Sequence, residues 1–377
     1  MPAPHRREFL AASAVAAAST VTAADRDTPV RLGFVGVGNR GSSLLKSALG
    51  LPGQAVTAVC DIDPAAAERA VKAVTDAKQP KPFTCAKWAD LLARPDVDAV
   101  VSAIPIDLHA RNYLDSIAAG KDLYAEKPMC LTLPECDTLV KAAKGSDRIV
   151  QIGFQRRANP FFVESMKRVH AGDLGELVEG RIAWSNAWGP LGGWFGQRER
   201  SGDWMLEQAC HNWDVLNWAL KSVPVRAMGM GRKGLFKEFQ PDRTVTDYYS
   251  AVVEYPNGLI VNIIHSWVMP GQAGKALSAF NFEYTQLIGA TAGIDFNSGT
   301  LSYRKEVNKP DQKVAGKFDS TEATKQALAA FLDSVRTRKP PVASVEHGRD
   351  AVLACLLVRK AVDERRVVTL DEVRAGG

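Results

Sequence analysis

Five short apolar runs recur along the first part of the chain: RLGFVGVG, AVTAVCDID, VDAVVSAIP, KDLYAEKP and RIVQIGFQ. Segments of helical composition, such as AAAERAVKAVTDA and LHARNYLDSIAAG, separate them. Strand and helix therefore alternate, which predicts a parallel, doubly wound α/β sheet of the Rossmann type over residues 30–154. After Gln155 the rhythm changes to longer strands, with a hairpin at Tyr255-Pro256-Asn257-Gly258 between DYYSAVVE and LIVNIIHSWV. That pattern predicts a second domain over residues 155–377, an α+β unit on a largely antiparallel sheet. Two helices, from about Glu322 to Arg338 and from His347 to Glu364, are expected to cover one face of that sheet. No internal repeat or low-complexity linker interrupts the chain.

Residues 1–24 stand outside this pattern. Arg6 and Arg7 precede Glu8, Phe9 and Leu10, and then a run of Ala, Val and Ser too short and too weakly apolar to span a bilayer. Small residues from Val21 to Ala24 offer a cleavage point, and no Cys stands there to carry a lipid anchor. Twin arginines before Phe-Leu resemble the twin-arginine (Tat) signal, which carries folded proteins across the bacterial inner membrane. The expectation is a periplasmic or otherwise exported protein with the Tat machinery as a partner.

Composition changes this picture little. The 377 residues are 46% hydrophobic and 24% charged, ordinary for a two-domain soluble protein. The formal charge of +5 becomes +4 once Arg6, Arg7 and Glu8 are removed (two positive, one negative), and it is scattered, which argues against nucleic acid. Six cysteines, at 60, 85, 130, 136, 210 and 355, form neither a C-x-x-C pair nor a zinc-ribbon spacing. They are read as buried thiols, no metal is expected, and a homo-oligomer is.

Gly36, Gly38 and Gly41 form G-x-G-x-x-G at the end of the first strand, with Asn39 and Arg40 inside the motif. Glycine permits the tight turn and lets backbone N–H groups approach a pyrophosphate at a helix N-terminus. Asp61 ends the second strand, where a carboxylate accepts hydrogen bonds from ribose hydroxyls and repels a 2′-phosphate, which favours NAD over NADP. Arg40 is either a phosphate neutraliser or a solvated arginine. Glu126-Lys127-Pro128 follows at the carboxyl end of a predicted strand, where open parallel sheets bind ligands.

Through GFVGVGNRG, VCDIDP, SAIPIDLHA, EKP and GFQRRANP, the chain resembles the glucose-fructose oxidoreductase and inositol dehydrogenase (Gfo/Idh/MocA) family over essentially its whole mature length. The resemblance implies that Lys127 lies between nicotinamide and substrate, where an ammonium steadies a developing alkoxide or carbonyl oxygen and relays a proton. It also implies that Pro105, His109 and Glu126 shape the cofactor side and that Arg156 meets substrate.

The second half contributes LEQACHNWDVLNWAL, read as one helix over residues 206–220. Leu206, Cys210, Trp213 and Leu220 can face a core, whereas Glu207, His211 and Asp214 at i, i+4 and i+7 line up on another face. Two carboxylates would then bracket one imidazole. The family pattern has Asp four residues before a catalytic His. Glu207 and His211 occupy those positions, with one extra methylene on the acid, and His211 would be the base. A metal bound through Glu-x-x-x-His finds no third ligand, and a core histidine is the plainer alternative. Six of the eight tryptophans fall between 184 and 218, beside the Gly-rich GPLGGWFG. Trp213 and Trp218 are expected in the core, while Trp188 and Trp194 are candidates for stacking on a sugar ring.

An exported nicotinamide enzyme meets no pool of free cofactor, so its cofactor must be held tightly and regenerated in place. The expected activity is NAD-dependent oxidation of a sugar, glycoside or cyclitol. A redox-neutral glycoside hydrolase that oxidises, eliminates and re-reduces is the alternative, and an inert sugar-binding module is a third.

Overall fold

The computed structural model describes residues 28–187, 189–270, 282–314, 316 and 318–376. Residues 1–24, expected to be a signal, and Trp188, expected to meet substrate, lie outside the described residues.

The apolar runs form strands β1 (Val30–Val35), β2 (Gln54–Cys60), β4 (Ala99–Ser102), β5 (Asp122–Ala125) and β6 (Val150–Ile152). They are buried on both faces, as a sheet covered by helices on each side requires. A further strand, β3 (Phe83–Cys85), is absent from the hydrophobic pattern because it is three residues long and mostly exposed at the edge. The order is β3-β2-β1-β4-β5-β6, and every neighbouring pair is parallel. Strand order reverses between β1 and β4, and this switch point opens a crevice at the carboxyl ends of the strands. Helix α1 (Asn39–Leu49) starts there and buries Leu44, Leu45 and Ala48 against the sheet.

Among the described residues the second sheet has nine strands, which lie side by side as β14 (Gln312–Lys313), β13 (Thr300–Tyr303), β12 (Ala292–Asp295), β11 (Phe282–Gly289), β7 (Leu177–Ser185), β10 (Ile260–Ser266), β9 (Thr246–Glu254), β8 (Arg226–Lys233) and β15 (Val368–Thr369). Its centre is β7 (Leu177–Ser185), paired antiparallel with β11 (Phe282–Gly289) and parallel with β10 (Ile260–Ser266). Strands β9 (Thr246–Glu254) and β10 close the expected hairpin, with Gly258 at φ +80°, a conformation that favours glycine.

The two C-terminal helices do not share the role expected of them. The second, Val345–Glu364, packs on β8 (Arg226–Lys233) and also on the helix Leu133–Lys144 of the first domain. The first, Ser320–Thr337, leaves the antiparallel sheet and returns to the Rossmann unit. There Ala327, Leu328, Phe331 and Leu332 join the core of Phe34, Leu44, Leu45 and Tyr124. Phe331 meets Tyr124 edge-on at 5.7 Å. The helix's apolar stripe matches either sheet, and tertiary packing selects the parallel one. Among the described residues no helix is long and apolar enough to cross a membrane.

Candidate active site

The glycine turn is built to accept a dinucleotide. Gly36 has φ +79°, and a Cβ there would stand 2.5 Å from the Ala103 carbonyl oxygen. At Gly41 a Cβ would reach within 1.9 Å of the Gly36 carbonyl oxygen. At Gly38 it would meet nothing within 4 Å, so the backbone is open on the ligand side. Helix α1 begins with no side-chain cap and no acidic residue in its first turn, which leaves its N–H groups for an anion. Asp61 is fixed beside them: its Oδ2 accepts from the Val37 amide (2.7 Å) and its Oδ1 from the Asp63 amide (2.9 Å). These features fit NAD, with the α1 N-terminus for pyrophosphate and Asp61 for ribose.

Arg40 takes neither of its expected roles alone. Its guanidinium pairs with the buried Glu126 at 2.7 Å and also donates to Thr324 Oγ1 (3.2 Å). Glu126 thus links the first turn of α1 to Lys127, whose amide it also accepts (3.1 Å). Asn39 is exposed at the mouth of the crevice. Pro105 leads into a 3-10 turn, Ile106–Leu108. The ring nitrogens of His109 lie 2.8 Å from Pro128 O and 2.9 Å from Ile104 O, tying the loop after β4 to the one that carries Lys127.

Lys127 Nζ donates to Glu207 Oε1 (2.7 Å) and to Glu207 O (2.8 Å). Burial alone would lower the ammonium pKa, but Glu207, with Cys210 and Glu126 beyond it, outweighs burial and holds it above the ordinary lysine value. Lys127 is therefore a permanent cation, with one of three protons uncommitted.

The helix expected over 206–220 is broken. Trp204–Glu207 and Cys210–Leu220 are separate helices joined at Gln208 and Ala209. Ala209 N donates five residues back to Trp204 O, and His211 N and Asn212 N donate only three back, to Gln208 O and Ala209 O. The turn widens and then tightens, and the i, i+4 alignment is lost. Its cause is Gln208, whose buried Oε1 accepts from His265 Nε2 (2.6 Å) and from Trp267 Nε1. Tyr249 Oη reaches the other nitrogen of His265 (3.0 Å), and burial lowers His265 to about 3, so this ring is a neutral structural group.

The two carboxylates consequently do not bracket His211. Glu207 turns to Lys127, and Asp214 turns to Arg157 (2.8 Å), where burial raises its carboxyl to about 6 against the opposing pull of the guanidinium. His211 lies between Phe154 (6.0 Å between ring centroids) and Trp184 (6.2 Å). Its Nδ1 is buried without a partner among the described residues. Burial first, then the charges of Lys127, Arg156 and Arg40, drive its pKa well below the usual histidine value. Arg156, 4% exposed, bonds Glu283 (2.7 Å), lies 5.5 Å over the Trp184 ring, and has Nη1 buried and unpartnered among the described residues. Trp194 stacks on Phe195 (3.9 Å), and that cluster continues to Trp204 and Trp267 instead of to His211. Trp213 is fully buried, and Trp218 lies beneath Arg157. The crevice thus gathers a fixed cation, a neutral imidazole and a partly free guanidinium beside the dinucleotide turn. Phe154, Trp184 and Glu283 belong to this group and had no distinguishing spacing in the sequence.

Residues 30–154 match the family model described as an oxidoreductase family with an NAD-binding Rossmann fold, and residues 162–291 match the GFO/IDH/MocA C-terminal domain. The chain is 30% identical over 213 residues to a glycosyl hydrolase family 109 protein of Shewanella baltica and to an alpha-N-acetylgalactosaminidase of Shewanella oneidensis. In both cases the match covers 48% of this chain and only 46% of the relative, so it spans less than half of either protein. A scyllo-inositol dehydrogenase from Lactobacillus casei, solved with NAD(H) and scyllo-inositol, superposes with a TM-score of 0.73 at 17% identity. That superposition covers 91% of this chain and all of the other, and it extends the likeness of fold across both domains.

Proposed function

The chain belongs to the Gfo/Idh/MocA oxidoreductase family, and from that premise we propose that it oxidises a carbinol of a sugar, glycoside or cyclitol with a tightly held NAD. The observation that carries this reading is the pairing of a permanently charged Lys127 with a neutral His211 beside the dinucleotide turn. When bound, the nicotinamide supplies the acceptor for the hydride that leaves the carbinol carbon. Lys127 donates its uncommitted N–H to the reacting oxygen and stabilises negative charge there as the C–O bond gains double-bond character. His211 takes the hydroxyl proton on a ring nitrogen. Glu207 holds Lys127 by two contacts and so fixes where its charge points. Arg156 offers its free nitrogen to a substrate oxygen, and Trp184 offers an apolar face to a ring.

The family 109 relatives favour a second reading on the same residues. The carbonyl formed by the first oxidation acidifies the adjacent C–H, a base removes that proton, the glycosidic oxygen leaves, water adds, and the carbonyl is reduced back. Purified protein should be incubated with free sugars and aryl glycosides in deuterated water without added nucleotide. Paired oxidised and reduced sugars support the oxidoreductase, whereas a cleaved glycoside carrying deuterium beside the once-oxidised carbon supports the hydrolase. Glycoside binding without turnover would leave only the inert module.

Export by the twin-arginine route and homo-oligomeric assembly belong to the same proposal. Arg6, Arg7 and the apolar run after them support export. Exposed Met228, Met230, Val252 and Ile260 on the nine-stranded sheet support assembly. Replacing both arginines by Lys should strand folded precursor in the cytoplasm, and normal periplasmic levels of that variant would refute the route. Native mass spectrometry reads oligomer and retained nucleotide together.

A further inference from the structure

Cys60 and Cys85 are register partners at the carboxyl ends of β2 and β3. Neighbouring strands stand about 4.8 Å apart, inside the range of about 4.4–6.8 Å between Cα atoms that a disulfide spans. The Cys85 thiol already reaches across to β2, donating to the Val59 carbonyl oxygen (4.0 Å) beside Cys60. Both residues also hold the cofactor turn through their backbones. The Cys60 carbonyl accepts from the Gly36 amide (2.8 Å), and the Cys85 carbonyl accepts from the Asp61 amide (3.1 Å). Asp61 in turn caps Val37. Strand β3, which supplies the last of these contacts, is a three-residue edge strand with Phe83 and Thr84 exposed. The side that receives the adenosine ribose is therefore fastened to the least secured strand of the sheet.

We infer that Cys60 and Cys85 form a redox clasp, closed by exchange with a small-molecule disulfide, that locks β3 to β2 and slows release of the dinucleotide. Of the six cysteines only Cys85 reaches solvent, so exchange starts there. The Cys85 thiolate attacks one sulfur of the incoming disulfide and expels the first thiol. Cys60, once deprotonated, attacks the Cys85 sulfur of that mixed disulfide, forming the Cys60–Cys85 bond and expelling the second thiol. The protein loses two protons and two electrons, and the small disulfide is reduced to two thiols. Burial raises both cysteine pKa values, so closure is slow at neutral pH and quickens as pH rises. Cys130, Cys136, Cys210 and Cys355 are fully buried and stay reduced while the protein is folded.

This inference rests on the NAD reading for its consequence, though not for the bond itself, and the test separates the two. Folded holoenzyme is treated with oxidised glutathione, denatured, alkylated and mapped as peptides without reduction, and nucleotide release is timed on a parallel sample. A linked Cys60–Cys85 peptide is expected, with Cys130, Cys136, Cys210 and Cys355 alkylated, and release should slow on the order of tenfold. Cys85→Ser, with Cys85→Ala as a second variant, should abolish both effects. Recovery of Cys60 and Cys85 as alkylated thiols, or arrest at a glutathione adduct on Cys85, overturns the clasp. So does a linked peptide with unchanged or faster release. If the purified protein carries no NAD, the cofactor reading fails while the peptide map still decides the bond.

Discussion

At His211, burial disfavours the charged ring, and the neighbouring cations add to that effect. The charges of Lys127, Arg156 and Arg40 add to the burial of the ring, so the imidazole is neutral at physiological pH and is an uncharged proton acceptor beside a fixed ammonium. Lys127→Ala and His211→Ala should each lower turnover by about a hundred- to ten-thousandfold with nucleotide still retained, because general acid-base assistance is of that size. Steady-state kinetics alongside mass spectrometry of bound nucleotide checks this, and loss of nucleotide in either variant would show a structural role instead. The sign of the coupling is also testable. Removing the Lys127 charge deletes the second cause of the lowered His211 pKa, so Lys127→Met should move the imidazole titration upward in an NMR pH series. At the other end of the cofactor, Asp61 accepts from two backbone amides, which hold its carboxylate beside the glycine turn. Asp61→Ala should weaken NAD retention and narrow the preference over NADP. Equal retention of both nucleotides by the unmutated protein would remove that argument.

Elements decide where such residues point. A continuous helix over 206–220 would place Glu207 beside His211, and the break at Gln208 sends Glu207 to Lys127 instead. Nothing in the local spacing announces the break. It depends on His265 and Trp267, which reach Gln208 from more than fifty positions later in the chain. The helix Ser320–Thr337 carries the same lesson on a larger scale, since its stripe predicts burial but not against which sheet. Phe331 is fully buried in the Rossmann core, so Phe331→Ala should cost about 3–5 kcal/mol of stability. Hydrogen exchange should locate the loosening in β1 and β5. Protection lost only in the antiparallel sheet would contradict the packing described.

Across the whole molecule, pH acts through three imidazoles buried in the neutral form, His109, His211 and His265, and through the half-buried His347. His109 and His211 are lowered, His265 titrates at about 3 and His347 at about 4. Their folded pKa values lie below the unfolded value of about 6.5, so the unfolded chain binds more protons as pH falls beneath it. Stability from these groups is present above pH about 6.5 and is lost toward the folded values, at about 1.4 kcal/mol per pH unit for each fully buried ring. Asp214, whose folded value is about 6, and Asp203 and Asp350, also raised by burial, act in the opposite sense because protonation favours their native state, but they are outnumbered. Thermal unfolding should therefore show a falling midpoint from pH 6.5 to pH 5. A flat or rising midpoint would mean that these rings are solvated.

By itself the sequence determined what is local and repetitive. Burial on both faces makes the parallel strands apolar runs, and a turn that excludes a Cβ at its first and last glycines must spell them, so β1, the Gly36-to-Gly41 turn and the position of Asp61 at the end of β2 were legible. The second, antiparallel sheet was legible through its alternation and its Asn-Gly turn. What only the tertiary structure decided is which partner each polar group takes. Arg40 chose Glu126, Glu207 chose Lys127 and Asp214 chose Arg157, in each case because burial leaves a charge no option but the nearest opposite one. Edge strand β3 was illegible for the converse reason. Three exposed residues leave no periodic trace, and only pairing with β2 makes Cys85 a neighbour of Cys60.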